Sequence, residues 1–470
     1  MSKVYICFWF DVEDYITPAS DAALDALLDL FLERGVRGTW KLVAEKLRAL
    51  KQRGRADILA KLHQQDIGFH TDNHSLHPTV TEYVRALGWE AGLEAIRTRE
   101  GPGLEELRRE FGRISCYGQP GGAWAPQFFA FLREAGIPLY LDEGRHIGLG
   151  KQPFWFQGVL AVFNLRENCL RVSLSPEERA RAKEQARRGL EEAVARLGSA
   201  GGGLLSVYYH PCEFATTEFW DGVNFHHGRN PLRSRWRPPQ LLPPPEREAR
   251  LELFGWFLDL ALGLPGLELV DGGRLPGLYE PSLPPRPVRL ESLARVAAAL
   301  GPEQSYIEAD GALIAPSEVF HAMAAALVAW WRYGELPTFA YLRPMQGPRT
   351  RCAAEKPVQA TLEAIAEGAA RALASMESGY MPAAFRVGEG EVGPATGLLL
   401  MAQAVQRVLE GAKRTDLVES PAARLLLAEN VPPEEEGLWS WVIFPEGFSA
   451  PDVLELTRLQ AWTMKPARLR

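Results

Sequence analysis

Gly68-Phe69-His70-Thr71-Asp72-Asn73-His74-Ser75-Leu76-His77-Pro78 places three of the chain's nine histidines within a span of eight residues. The run Gln65-Asp66-Ile67 ahead of it reads as the end of a strand, so the histidines stand where a strand gives way to a loop. His70 and His74 are four apart, and one helical turn would put both imidazoles on the same side. Neutral imidazole is the commonest ligand for zinc and its first-row neighbours. Read alone, the stretch is equally a polar loop that happens to be rich in histidine. Its meaning depends on what the rest of the chain brings beside it.

Upstream, Val4-Tyr5-Ile6-Cys7-Phe8-Trp9-Phe10 is a continuous apolar run closed by Asp11, the pattern of a fully buried strand. A helix is expected from Ser20, as N-cap, to Gly35, as its stop. Strands follow over Arg37–Val43 and Ile67–Phe69, with a helix over Ile58–Leu62 between them. Helices over 80–98 and 104–111 lead to a strand at Ile114–Tyr117, and a helix over 126–135 leads to one at Pro138–Leu141. An aromatic, hairpin-like region near Trp155 and a long charged helix over 176–198 come next. Gly201-Gly202-Gly203 stops that helix, and Leu204–Tyr209 is a buried strand that ends at His210. A helix over 245–262 and a strand at Leu267–Val270 close the unit. Such β/α alternation over about 275 residues predicts an α/β fold with a parallel sheet, sized for a barrel or distorted barrel. Asp11, His70, Tyr117 and His210 all fall at or just beyond the C-terminal end of an expected strand. That is the face on which these folds place active sites.

The chain has 470 residues, enough for more than one core. With 46% hydrophobic and 24% charged residues it has the composition of a soluble globular protein. A formal charge of -7 argues against a general nucleic-acid binder. The opening residues lack the pattern of a secretory signal, and no long uninterrupted apolar run predicts a membrane span. The five scattered cysteines have no C-x-x-C spacing, so reduced thiols and a cytoplasmic setting are expected.

Pro281-Ser282-Leu283-Pro284-Pro285-Arg286-Pro287 reads as a linker, dividing the chain into domains at 1–278 and 288–470 around residues 279–287. Beyond it the chain turns Ala-rich and mostly helical. An internal repeat is expected there. Pro287-Val288 opens one helix, and Ile314-Ala315-Pro316 another with Phe320, Met323 and Leu327; Pro357-Val358 and Val392-Gly393-Pro394 open a matching pair with Leu398, Met401 and Val405. The pattern is loosely similar to small helical cell-wall-binding repeats such as the pseudomurein-binding repeats. A binding or assembly role, with oligomer formation through this part, is the expectation for 288–470.

Phe10-Asp11-Val12-Glu13-Asp14-Tyr15 holds three carboxylates in four residues. In extended chain Asp11 and Glu13 point one way and Asp14 the other. Beside two histidines they could complete a metal site with a carboxylate to spare as base; alone they are acids opening a helix. A histidine after a buried strand, as at Tyr209-His210-Pro211, could serve as a general acid.

Taken together these stretches resemble the polysaccharide deacetylase (NodB-homology) family over about residues 3–275. The acidic motif is Phe10–Asp14, the His-x-x-x-His motif is His70-Thr71-Asp72-Asn73-His74, and the last motif is Leu205-Ser206-Val207-Tyr208-Tyr209-His210. The resemblance implies a distorted (β/α) barrel of the NodB-homology type and metal-dependent hydrolysis of a C–N amide bond. N-deacetylation of an N-acetylated sugar or polysaccharide is the first expectation. A small non-sugar amide, or glycan binding without turnover, is the alternative. It implies Asp11 as base, His70, His74 and Glu13 as metal ligands with Asp14 in reserve, and His210 as the acid that protonates the leaving amine. It further implies Asp142 orienting His210, and the Gly121 N–H holding the oxyanion. The metal implied is zinc, with cobalt, manganese or nickel as substitutes. In place of the family's Arg-x-Pro-Tyr this chain has Gly118-Gln119-Pro120-Gly121, so the Arg that pairs with the base is missing and the glycines leave room for substrate. Trp124, Trp155, Trp220 and Trp236 are candidates to stack on sugar rings.

Overall fold

Strand β1, Val4–Val12, runs through the middle of the fold, and its alternation sets two cores. Ile6, Phe8, Phe10 and Val12 pack outward against helices, whereas Cys7 and Trp9 join a separate interior cluster with Cys116, Leu141 and Val162. Asp11 continues the interior row by the same period of two. The structure, a computed structural model, describes residues 3–470 except 143–144, 151, 164–167, 176–178, 285 and 436, and excludes the side chains of Asp142, Phe163 and Ala180.

Chain order through the first part is β1, α1 (Pro18–Glu33), β2 (Thr39–Leu42), α2 (Ala44–Gln52), α3 (Ala56–Leu62), β3 (Asp66–Phe69), α4 (Val80–Val84) and α5 (Trp89–Phe111). It continues with β4 (Cys116–Tyr117), α6 (Gln127–Glu134), β5 (Leu139–Asp142), β6 (Phe154–Phe156), β7 (Val159–Phe163), α7 (Arg179–Ser199), β8 (Gly203–Tyr209), α8 (Trp220–Phe225), α9 (Pro244–Gly263), β9 (Leu267–Leu269) and α10 (Leu275–Leu278). The strands β8-β1-β2-β3-β4-β5-β7 lie side by side in that order, all parallel. β6 adds antiparallel to β7. β8 takes one edge of β1 along residues 4–10, so β2 and β9 share the other edge, β2 along 9–12 and β9 along 4–6. The sheet curls without full closure. Across the gap, Cys169 bridges to Ser206 of β8 in parallel, and Leu170 N–H donates to the Ser206 carbonyl at 2.7 Å. This is the distorted α/β barrel that the alternation predicts.

Two helices differ from expectation. α1 starts ahead of Ser20, because Pro18 takes the first helical position and Thr17 the cap. The helices expected over 80–98 and 104–111 are broken elsewhere: α5 runs unbroken through Gly101-Pro102-Gly103. Its buried face of Leu93, Ile96, Glu100, Leu104 and Leu107 holds it together past the proline.

The second part runs β10 (Val288–Arg289), α11 (Leu290–Ala299), β11 (Glu303–Gln304), β12 (Ile307–Ala309), β13 (Ala312–Ile314), α12 (Pro316–Tyr333) and β14 (Phe339–Ala340). Then come β15 (Val358–Thr361), α13 (Leu362–Ser375), β16 (Phe385–Val387), β17 (Gly390–Val392), α14 (Pro394–Leu409), β18 (Leu417–Ser420) and β19 (Arg424–Leu425). These residues have a core of their own, with Phe320, Met323, Leu398 and Met401 in it. The chain then returns. Leu427, Trp439, Phe444, Val453 and Leu459 pack into the barrel's outer core, α15 (Pro451–Gln460) among them. β20 (Lys465–Pro466) pairs with β6 and extends the barrel's own sheet. A boundary at 278 therefore does not separate the two cores. No helix among the described residues is long and apolar enough to cross a membrane.

Candidate active site

Five of the residues singled out in the sequence meet at the C-terminal ends of the parallel strands. Asp11 lies within β1 and Glu13 just beyond it. With Val12 buried in the helix-facing layer, both carboxylates fall on the interior side. Asp14 turns away: its Oδ1 accepts from the N–H groups of Ile16 and Thr17, each at 3.0 Å, just ahead of α1. Among the described residues the groups able to hold an ion are Glu13 with His70 and His74, and Asp11 with Glu13 and His210.

The histidines meet without a helical turn. Thr71 and His74 both adopt positive φ, 66° and 55°, and bend the chain after β3 into a compact loop. Thr71 Oγ1 accepts from His74 N–H at 3.1 Å and ties the bend. The two rings end 4.9 Å apart. His70 Nδ1 donates to the Gly118 carbonyl at 2.9 Å, leaving Nε2 facing Glu13 Oε2 at 3.2 Å. His74 Nε2 is 2.7 Å from the same oxygen, yet it is buried and not aligned to hydrogen-bond with it. The other Glu13 oxygen accepts from Trp220 Nε1 at 2.8 Å. A ring nitrogen whose proton sits on the far side is an acceptor, and an acceptor this close to a carboxylate is repelled unless a cation, a proton or a metal ion, joins them. A divalent ion meets that requirement, so the donor set fits the metal the resemblance implies. Burial alone would raise the Glu13 carboxyl; the charges of His74 and His210 and the His70 hydrogen bond hold it well below the usual range.

Asp11 has a partner that the sequence reading overlooked. Lys41 sits directly opposite Asp11 in the β1–β2 register. Its side chain is fully buried, and Nζ lies 2.6 Å from Asp11 Oδ1. The ammonium also stands 3.9 Å from the centre of the Trp9 ring and donates to the Leu141 carbonyl at 3.3 Å. Burial works to raise the Asp11 carboxyl, but the charges of His70, Lys41 and His210 outweigh it and lower it. The room expected at the glycine motif is taken. A Cβ at Gly118 would come within 2.5 Å of Lys41 Nζ, and one at Gly68 within 2.8 Å of Lys41 Cγ. The signal in the sequence was a lone lysine inside an otherwise buried strand, Thr39-Trp40-Lys41-Leu42.

His210 follows β8, with Nε2 3.7 Å from Asp11 Oδ2 and 2.8 Å from the Tyr208 hydroxyl. Its Nδ1 donates to Glu213 Oε1 at 2.8 Å. Glu213, one short turn along the chain, thus fixes the His210 ring at Nδ1; the side chain of Asp142, expected to orient it, lies outside the described residues. Burial opposes a charge on His210, but Glu13, Glu213 and Asp11 prevail and push it up to about 9.

The remaining expectations divide. Trp124 and Trp220 are completely buried and cannot stack on a sugar; Trp236 packs against Tyr15 and Phe225. His77 serves the loop, with Nδ1 2.7 Å from Glu82 and Nε2 donating to the Phe225 carbonyl. Gly121 lies under Trp441, a residue far along the chain: a Cβ there would come within 2.3 Å of the indole.

No protein-family model matches the sequence, and no curated protein matches it. Solved structures do. One is a protein from Mycobacterium smegmatis assigned as a polysaccharide deacetylase, at 12% identity, covering 58% of this chain and 89% of that one with a TM-score of 0.38. A 4-alpha-glucanotransferase from Thermococcus litoralis overlays at 14% identity, 60% of this chain, 41% of that one and a TM-score of 0.39. Puue allantoinase overlays at 13% identity, covering 57% of this chain and 88% of that one with a TM-score of 0.35. All three overlays are loose, and the chemistry of the site rests on its own residues.

Proposed function

We propose that this protein is a metal-dependent hydrolase of a C–N amide bond, with an N-acetylated sugar as the first candidate substrate. The observation that carries this is the convergence of Asp11, Glu13, His70, His74 and His210 from three separate strand ends. Glu13, His70 and His74 would hold the ion, zinc first, with cobalt, manganese or nickel able to replace it. Such an ion supplies Lewis acidity toward an acyl oxygen and lowers the pKa of water.

The chain's own groups supply the rest. Asp11, kept ionised beside Lys41, accepts the proton of the attacking water. His210, kept protonated by Glu213 and the carboxylates across from it, donates to the leaving nitrogen. Base and acid face each other at 3.7 Å, so the proton taken and the proton given lie in one small, nearly dry space. The Gly121 N–H remains the candidate backbone donor for the oxyanion.

A small non-sugar amide is the second reading within the same chemistry. Glycan binding without turnover is the third, and the missing arginine was its main support; Lys41 supplies a cation to Asp11 and weakens it. The deciding experiment is metal analysis of purified protein followed by acetate release from chito-oligosaccharides against a panel of small amides. One ion per chain is expected, lost in His74→Ala. Asp11→Asn should keep the ion and lose hydrolysis. Absence of stoichiometric metal would end the hydrolase reading.

For residues 288–425 we propose the internal duplication read from the sequence. It is supported by two successive runs of strand, helix, hairpin, proline-opened helix and strand, the outer strands pairing within each run. All five cysteines are free thiols, in keeping with the cytoplasmic setting we propose.

A further inference from the structure

We propose that residues 437–450 roof the active site, and that Trp441 restricts it to small or chain-terminal N-acyl groups, excluding the interior of a polymer. This rests on the hydrolase reading above and narrows its substrate class.

The segment lies far beyond the stretch that carries the active-site motifs, yet it is built into the site's wall. Trp441 lies with its ring edge-on to His74, centroids 5.4 Å apart. The indole occupies the volume that a side chain at residue 121 would fill, and Phe444 comes close to Gly122 in the same way. Gly121 and Gly122 thus admit the segment. Its indole N–H donates to Asp221 Oδ2 at 3.0 Å. Asp221 is buried on α8, and its other oxygen has no hydrogen-bond partner among the described residues. The backbone is fastened on the same side, where His227 and Gly228 donate to the carbonyls of Val442 and Ile443. Ile443 is wholly buried with Tyr15, Trp220 and Phe225. Ser440 accepts from Arg145 at 3.0 Å on the opposite flank.

The effect on the site is measurable. Asp11, Glu13 and His70 are no more than 2% exposed, and His74 is 6% exposed. A polymer bound along an open cleft needs its reacting unit flanked on both sides by free groove. Here one flank, beside His74, is filled by Trp441. His210, at 9%, is the most exposed of the five, and with Trp441 against His74 a substrate enters past His210, which favours a terminus or a small molecule over the interior of a chain.

The test uses full-length protein, with Trp441→Ala, and Asp221→Asn as a milder variant that keeps the ring and loosens its tether. Metal-free wild type, native by thermal melt, is treated with diethylpyrocarbonate, and modification of His74 is followed by mass spectrometry against the exposed His63 and His227. His74 is expected to react about tenfold faster in Trp441→Ala, with Asp221→Asn between. Equal His74 reactivity in all three proteins overturns the roof. Cobalt-loaded proteins are then assayed for acetate release from N-acetylglucosamine and its oligomers and from small N-acetyl amides. Wild type is expected to favour the shortest substrates and the variant to gain on internal units of longer ones. Wild type acting on long and short chains alike overturns the restriction. Faster His74 modification with no hydrolysis of any substrate leaves the roof standing and removes the hydrolase reading instead.

Discussion

At Gly118 a Cβ would meet the Lys41 ammonium, and at Gly68 it would meet the Lys41 stem. Two glycines therefore shape a slot for one lysine, and the lysine meets Asp11 because β1 and β2 pair those two residues directly. Lys41→Met should leave Asp11 buried without its counter-charge and cost about 3 to 5 kcal/mol of stability, read by urea unfolding. Moving the cation should recover part of that loss: Lys41→Gly with Gly118→Arg is expected to be more stable than either single variant. A double variant no better than the worse single one would show that the two positions do not share a site. Metal binding should survive in Lys41→Met, because the ligand atoms come from Glu13, His70 and His74 and the lysine contributes none.

The element that supports the histidine loop is α5. Glu100 on that helix accepts from Asp72 N–H at 2.8 Å and from the Tyr83 hydroxyl at 3.0 Å, entirely buried. Burial, with the nearby Asp72 charge adding to it, pushes its carboxyl from 4.5 up to about 7. The folded protein then holds a proton that the unfolded chain releases. Its contribution to stability is full below pH 4.5 and is lost as pH rises through about 7, a change of about 3 kcal/mol. Glu100→Gln should remove that slope, so its melting temperature should fall less than wild type's between pH 5 and pH 8. Identical slopes would show that Glu100 does not titrate in this window. Because α5 passes unbroken through Pro102, the loop is braced by one long element rather than by two short ones.

For the whole molecule, the return of the chain after Arg424 matters most. Leu427 to Met464 complete the barrel's outer core, and β20 extends its sheet. A chain ended at residue 278, where the sequence suggested a domain boundary, should lose this cover and melt without a cooperative transition, as followed by circular dichroism and calorimetry. A truncated chain that melts as sharply as the full one would show that the returning segment is dispensable. Joining distant segments in one core also explains how Trp441, from the far end of the sequence, comes to lie against His74 and Gly121.

How much was legible follows from range. Short apolar runs alternating with helices announced a parallel α/β fold, because strand burial and helix amphipathicity are local patterns. The strand-end positions of Asp11, His70 and His210 were legible for the same reason, since a strand's end can be read from its own residues. Glu13 and Asp14 could not be told apart until the bend at Ile16 and Thr17 claimed Asp14. Glu213 was within three residues of His210 but needed the turn after β8 to bring its carboxylate onto Nδ1. The positive φ angles of Thr71 and His74, the Asp11–Lys41 register and the Trp441 contact with Gly121 were beyond reach. By itself, then, the sequence determined the strands, the polar groups at their ends and the kind of chemistry those groups allow. Only the tertiary structure decided which cation pairs with Asp11 and which distant side chain lies against His74 and Gly121. Those depend on strand register and on contacts between residues hundreds of positions apart, which no local pattern encodes.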